Sequence, residues 1–279
     1  MKSKVAAAIA IAFALAATTA SAGVVISQER VVSNQGKVSK SEQTVMVQGN
    51  KRKVVTPERT VITDLDAGKV YFLNPKSKKY AQSTFPPKGL PAAIMVQEGL
   101  SFGFEKGAAT HKVAGYECQD YSGSIPFAFT KLDTTQCVAS DAPGAKEYTD
   151  FLKAIGEKIK GTRLAPKGGV IPDGVPVLIR TSAEPHTFNP RRGVPPEQVK
   201  RIQDELAKHP PAVFTTTASK IEVKDLPADT FVVPADYSEQ QFIEPKIMNK
   251  ADFKSLTAPN AAGHGATITV QPAAPAAPH

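Results

Sequence analysis

The chain of 279 residues is 41% hydrophobic and 22% charged, contains two cysteines and no tryptophan, and has a formal net charge of +8. This length allows one substantial domain with its own hydrophobic core. The lysines and arginines are scattered, and no platform of aromatic and basic residues accompanies them, which argues against nucleic-acid binding. After residue 22 no stretch is apolar for long enough to cross a membrane.

Residues 1–22 are predicted to be a signal peptide. Lys2 and Lys4 supply its positive end, Val5 to Ala17 its apolar run, and a small-residue cleavage site ends at Ala22. The run of about 13 apolar residues is shorter than the roughly 20 that span a bilayer. Gly23 follows the site, so the cysteine that a lipid anchor requires is absent. We expect a soluble periplasmic or extracellular protein whose net charge, with two lysines removed from +8, is +6.

Short β-runs separated by turn residues fill residues 24–85 and predict an antiparallel meander. Tight turns are expected at residues 66–68 (Asp-Ala-Gly) and 75–77 (Pro-Lys-Ser). Successive side chains of a strand point to opposite faces, so alternate apolar residues share a face. On this basis Val45 lies on the same face as Val47, and Val70 on the same face as Phe72.

Both cysteines lie in predicted strands, within the stretches THKVAGYECQDYSGS and TKLDTTQCVAS. Gly115 interrupts the first stretch and predicts a bulge or a close backbone approach. Because exported proteins meet an oxidising environment, Cys118 and Cys137 are expected to form a structural disulfide worth roughly 3 kcal/mol. The alternative is a pair of reduced, buried cysteines.

An amphipathic helix is predicted to follow the second cysteine. It starts near Pro143, with Asp141 or the adjacent turn as its cap, and ends at Gly161. The apolar residues at helical spacing are Tyr148, Phe151, Leu152, Ile155 and Ile159. Such a stripe predicts a helix that packs against the sheet.

Two more strands are expected at residues 172–182 and 214–223, separated by an insertion at about 183–212. The insertion carries several prolines and a predicted helix at 197–208, and it is either a lid or a surface elaboration. Residues 239–279 are rich in proline and alanine and are predicted to be a largely disordered tail.

No catalytic site, metal site or cofactor site is predicted. Residues 99–103 match the Gly-x-Ser-x-Gly pattern around Ser101, but no helix-forming stretch follows, as a nucleophile elbow requires. Residues 64–68 resemble the start of a calcium loop, but the glycine comes one residue early and a hairpin turn explains them. The five histidines have no metal-ligand spacing.

Four stretches together resemble a bacterial family, the domain of unknown function numbered 4412: HKVAGYECQDY, CVASDAPGAKEYTDF, GVPVLIR and ASKIEVKDLPADTFVVPADY. That family is similar in fold to the lipoprotein carriers LolA and LolB. The resemblance implies an α+β fold in which a strongly curved antiparallel sheet forms a half-barrel and helices cover its concave face. It covers residues 23–238, and neither the insertion nor the tail belongs to its pattern.

The resemblance also implies a non-enzymatic periplasmic protein that binds a lipid, a lipoprotein acyl chain or another apolar envelope molecule. The candidate lining residues are Val45, Val47, Val61, Val70 and Phe72 from the sheet, and Phe151 and Ile155 from the helix. Each of them is an equally good core residue. The alternative is an interaction or sensor scaffold that docks an envelope protein and takes no small ligand.

Overall fold

The computed structural model describes residues 22–34, 36–87, 103–127, 130–162, 165, 168–185, 195–208 and 211–241. All of them belong to the larger of the two units into which the chain divides, Met1–Phe242. The helices are α1 (Ala145–Ile159) and α2 (Pro196–Ala207), with a 3₁₀ turn at Ala228–Phe231. The strands are β1 (Gly23–Asn34), β2 (Lys37–Gln48), β3 (Lys51–Val55), β4 (Thr60–Asp64), β5 (Lys69–Asn74), β6 (Lys79–Thr84), β7 (Glu105–Val113), β8 (Tyr116–Phe127), β9 (Thr130–Ala139), β10 (Val175–Pro185), β11 (Ala212–Lys224) and β12 (Ser238–Glu239).

The strands form one sheet of twelve in the order β12-β6-β5-β4-β3-β2-β1-β11-β10-β9-β8-β7. Every neighbouring pair is antiparallel except β12 with β6, which is parallel. Strands β1 to β6 pair in chain order, which confirms the predicted meander. The described part of the chain is therefore a large, mainly antiparallel open sheet that carries two helices.

The chain reverses at Ala114 and Gly115, where the sequence predicts a bulge or a close backbone approach. Val113 pairs with Tyr116, and the two residues between them have φ angles of 52° and 88°. Two consecutive residues with positive φ match the twist of antiparallel strands and make a two-residue hairpin turn. The first cysteine stretch is therefore two strands, β7 and β8.

Helix α1 lies against β1, β2 and β10, and we call the sheet face that it covers the inner face. All five residues of the predicted apolar stripe are buried, which confirms the amphipathic helix and its packing. Its N-cap is Gly144, with φ 73° and no side-chain cap, so Asp141 is not the cap. A Cβ at Gly144 would lie 2.6 Å from Cβ of Val24, so the helix begins where the chain passes close to β1.

Residues 225–241, which we call the C-terminal strap, cover the β2 to β6 part of the opposite face of the sheet, the outer face. Phe231 packs there with Ile62 and Leu73 in a second, smaller hydrophobic cluster. Backbone hydrogen bonds from Ser238 N to Lys78 O and from Gln240 N to Tyr80 O then attach the strap to the β6 edge at 3.0 and 2.8 Å. The LPADTFVVPADY stretch of the family resemblance is therefore part of the strap and lies on the outer face.

The insertion joins β10 to its antiparallel neighbour β11, and its helix α2 contacts β10. Helix α2 spans Pro196–Ala207, close to the predicted helix at 197–208. Of the predicted tail, Glu239 belongs to β12, and residues from 242 onward lie outside the described residues. Within the described ranges no helix combines the length and apolar character needed to cross a membrane.

Candidate functional site

Six of the seven candidate lining residues lie in one hydrophobic cluster between α1 and the inner face, and Phe72 packs against that cluster half-buried. The exposed fractions are Val45 2%, Val47 0%, Val61 3%, Val70 0%, Phe151 1% and Ile155 0%. The structure thus brings together residues that are up to 110 positions apart in the chain.

Strand register explains how the sheet residues meet. Val45 pairs with Val54, Val54 with Val61, and Val61 with Phe72, so these four form one row across β2 to β5. Directly paired residues of antiparallel strands point to the same face. Alternation within each strand and pairing between strands therefore give one continuous apolar surface.

The candidate site is closed in this structure, because its sheet residues and its α1 residues are packed together in one hydrophobic cluster. Two surface depressions lie elsewhere. One, of about 450 Å³, lies between α1 and residues 165 and 169–171, and the other, of about 630 Å³, lies around β1, β2 and β11. None of the seven candidate residues lines either depression. Whether the seven contact a ligand therefore stays a prediction.

The apolar surface contains one buried charged residue that the sequence did not single out. Arg52 pairs with Val47 and Thr63 on the inner face and is 2% exposed. Burial raises the pKa of the nearby Tyr148 hydroxyl, and the positive charge of Arg52 partly opposes that rise. In the sequence, Arg52 is one of three consecutive basic residues, and only its alternation with Val54 indicates that it points inward.

A second region of the sheet buries uncharged polar side chains, which we call the polar band: Gln28, Gln43, Thr134, Gln136 and Thr181. Gln43 Nε2 donates to Gln28 Oε1 at 2.9 Å, and the hydroxyls of Thr134 and Thr181 lie 3.0 Å apart. Sequence reasoning missed this band, because a glutamine or threonine in a strand gives no sign of whether it faces solvent or the interior.

The two cysteines form the predicted disulfide. Cys118 Sγ and Cys137 Sγ are 2.07 Å apart, on the neighbouring strands β8 and β9. Both residues are buried, at 3% and 2% exposure, and both belong to the hydrophobic cluster beneath α1. The alternative of two reduced cysteines is therefore wrong.

The remaining sequence motifs do not assemble a reactive site among the described residues. Residues 99–102, with Ser101, lie outside them. The loop at 64–68 is a hairpin turn in which Asp64 Oδ1 accepts the Ala67 amide at 2.9 Å. His111 Nε2 lies 2.7 Å from Asp120 Oδ2 on the exposed β7–β8 hairpin. No group of three or more potential metal ligands occurs in the part of the chain that the structure describes.

No family model and no curated protein matches the chain. Among solved structures, PNGF-II in a C2 crystal form is similar over 85% of this chain at 8% identity and a TM-score of 0.36, and the chain spans about a third (32%) of the length of PNGF-II. A LolA superfamily protein from Nitrosomonas europaea is similar at 10% identity and a TM-score of 0.30, over 75% of this chain and 89% of that one. A DUF1329 family protein from Desulfovibrio piger is similar at 10% identity and a TM-score of 0.33, over 77% and 90%.

These identities and TM-scores are too low to decide a family or an activity. The resemblance to the domain family 4412 and the LolA-like half-barrel therefore stay predictions.

Proposed function

We propose that the protein is a periplasmic, non-enzymatic carrier that binds a lipid, a lipoprotein acyl chain or a similar amphiphile on the inner face of a LolA-like half-barrel. After α1 has moved away from the sheet, the ligand lies between them and contacts the five candidate lining residues of the sheet and the two of the helix. The buried disulfide supports the location, because disulfides persist in oxidising compartments outside the cytoplasm.

The observation that carries the proposal is the way in which α1 covers the apolar surface. A helix satisfies its backbone hydrogen bonds internally, so it can leave a sheet without breaking the sheet's own ladder. Polar contacts between α1 side chains and other parts of the chain include an ion pair between Lys153 Nζ and Asp173 Oδ1 at 3.0 Å. Gly49 N donates to Glu147 Oε1, and Gly174 N donates to Thr149 Oγ1 at 2.8 Å. α1 is therefore a cover that can be displaced without unfolding β1 to β5.

The free-energy cost of displacing α1 sets a minimum length for the acyl chain of the ligand. Displacing α1 exposes five large side chains, at a cost of about 2 kcal/mol each and ~10 kcal/mol in total. An acyl chain that replaces them gains roughly 0.8 kcal/mol for each buried methylene, so a chain of about 13 carbons offsets the loss. We therefore expect long-chain lipids to bind and short-chain ones to fail.

The first test is mass spectrometry of an organic extract from the mature protein, purified from a bacterial periplasm without detergent beside a control protein of similar charge. Stoichiometric enrichment of a long-chain lipid supports the carrier. An empty extract, together with no binding of a fluorescent fatty-acyl probe, contradicts it.

A pair of neighbouring substitutions locates the ligand. Phe72 lies on the inner face and Tyr71, the residue before it, on the outer face, and both are partly buried. Phe72→Gln is expected to weaken binding of the fluorescent fatty-acyl probe about tenfold, because it places an amide in the apolar row. Tyr71→Gln is the matched control and leaves probe affinity unchanged. Equal affinities for the two variants would place the ligand elsewhere.

The alternative function is a scaffold that docks an envelope protein. It rests on the close packing of α1 against the inner face of the sheet. If the scaffold is correct, the wild type binds no acyl probe of any chain length. In that case Phe72→Gln affects only stability.

A further inference from the structure

Arg52 lies in the middle of the apolar surface beneath α1. On β3 it comes two residues before Val54, so both side chains point to the inner face. Strand pairing places Arg52 in a row that crosses β2 to β5 and consists of Val47, Arg52, Thr63 and Val70. These four residues are buried, with exposed fractions of 0%, 2%, 1% and 0%. The adjacent row, which contains Val54, is apolar, so Arg52 places a positive charge within a mainly apolar surface.

The first turns of α1 cover Arg52. Tyr148 of that helix is 3% exposed, and the guanidinium lies close enough for its charge to oppose the rise in the Tyr148 pKa that burial causes. The residue before it, Glu147, accepts a hydrogen bond from the amide of Gly49, in the turn between β2 and β3. Displacement of α1 therefore uncovers the guanidinium together with the candidate lining residues of the sheet.

A buried guanidinium is costly on a surface that has only hydrocarbon to bind. Its removal from water costs free energy that pairing inside the protein repays only in part, and well-packed apolar residues often stabilise a protein at least as well. A neutral ligand would gain nothing from this charge. A carboxylate would gain, because its two oxygens match the parallel N–H donors of a guanidinium.

The neighbours of Arg52 favour a compact anion. Val47 and Val70 lie in the same row, so a head group with further polar parts would bury those parts against valine side chains without hydrogen bonds. Thr63 pairs directly with Arg52, which places their Cβ atoms roughly 5 Å apart. The Thr63 hydroxyl can therefore donate to an anion that the guanidinium holds.

We propose that Arg52 binds the carboxylate of a single-chain amphiphile, such as a long-chain fatty acid, whose chain lies between α1 and the adjacent apolar row. This inference rests on the proposed carrier function and specifies the head group of its ligand. The guanidinium and the carboxylate form charge-assisted hydrogen bonds, and each neutralises the other where water is excluded.

The test compares three ligands whose chains have the same length: tetradecanoate, tetradecanol and tetradecyltrimethylammonium. Each competes with one fluorescent acyl probe for the mature protein, in a mildly alkaline buffer in which the acid is ionised. Tetradecanoate is expected to bind about tenfold more tightly than tetradecanol, because a hydrogen bond to a charged group is worth about that factor or more. The ammonium ligand should bind most weakly, because its charge repels the guanidinium.

The decisive variant is Arg52→Met, which removes the charge and keeps a long, unbranched side chain. It should abolish the preference for tetradecanoate over tetradecanol. A purely structural role would change both affinities equally and leave their ratio unchanged. Arg52→Lys keeps the charge but loses the planar fork, so the preference should fall about threefold.

Lys51→Met is the matched control. It removes a positive charge from the neighbouring residue, whose side chain points to the outer face and forms an ion pair with Asp64 at 3.2 Å. The ratio of the two affinities should remain that of the wild type.

The outcomes separate this inference from the carrier function. If the wild type binds tetradecanoate and tetradecanol equally well, or if Arg52→Met keeps the wild-type preference, the protein is a carrier and the carboxylate site is wrong. If Arg52→Met fails to fold, Arg52→Lys decides, and an undiminished preference in that variant overturns the site. If none of the three ligands binds the wild type, the carrier function and the carboxylate site are both overturned.

Discussion

Replacing Phe231 by alanine tests whether the C-terminal strap is an integral part of the fold. Phe231 is 8% exposed and packs on the outer face against Ile62 and Leu73, which are 0% and 3% exposed. Truncation of a buried phenylalanine costs about 3–5 kcal/mol. The strap is a surface segment that can partly close the resulting gap, so we expect the low end, about 3 kcal/mol.

Phe231→Ala should make the strap detach more often, and this detachment should occur more readily than unfolding of the whole domain. The strap ends in the backbone hydrogen bonds from Ser238 to Lys78 and from Gln240 to Tyr80. If Phe231 anchors the strap, these amides exchange with solvent through detachment of the strap, and a weakening of about 3 kcal/mol accelerates their exchange roughly a hundredfold. Amides in the middle of β1 that exchange through local opening, and not through global unfolding, should keep the wild-type rate.

Denaturant unfolding and hydrogen exchange of the mature protein measure the two effects. Val232→Ala is the control, since Val232 is 55% exposed and its truncation is expected to cost no more than about 0.5 kcal/mol. If Phe231→Ala and Val232→Ala have the same stability and the same protection at Ser238 and Gln240, the strap does not depend on its buried aromatic ring.

Three further predictions follow from other parts of the fold. Replacing Cys118 and Cys137 by alanine should lower the free energy of unfolding by roughly 2–5 kcal/mol, measured by denaturant titration, and the unreduced wild type should show no free thiol after denaturation. Gly144→Ala should destabilise the protein by more than Gly36→Ala. Both sites have positive φ, but only at Gly144 would the new methyl group collide with β1. Equal thermal midpoints of the two variants would refute this. Burial lowers the pKa of Lys53 below 10.5, while the charge of Asp229 partly opposes the shift, so the folded state loses this proton first. Lys53 therefore contributes stability that increases as pH rises towards 10.5, and the difference in denaturation midpoint between the wild type and Lys53→Met should change with pH in that direction.

Local patterns predicted most of the secondary structure, because the rules involved act within a few residues. The stripe from Tyr148 to Ile159 repeats at helical spacing, and every member is buried. The alternation of Val45 with Val47 and of Val70 with Phe72 assigned their common face, since a strand has only two sides. The pairing of the two cysteines could also be predicted, because the sequence contains only two and the predicted compartment is oxidising.

The errors arose where a local pattern permits more than one backbone geometry. Gly115 predicted a bulge or a close backbone approach, whereas the positive φ of both Ala114 and Gly115 makes a two-residue turn. Asp141 is a suitable cap residue, but the close approach of the helix start to β1 requires Gly144 in the cap position instead.

The sequence by itself determined the antiparallel meander, the amphipathic helix, the disulfide and which residues of each strand share a face, because these follow from short-range periodicity and composition. Only the tertiary structure decided that the strap covers the outer face, and that Arg52 lies within the apolar surface. The same holds for the polar band, in which Gln28 hydrogen-bonds to Gln43 and Thr134 to Thr181. The position of the strap depends on pairing between residues far apart in the chain, such as Ser238 with Lys79, and strand order across the sheet sets such pairings.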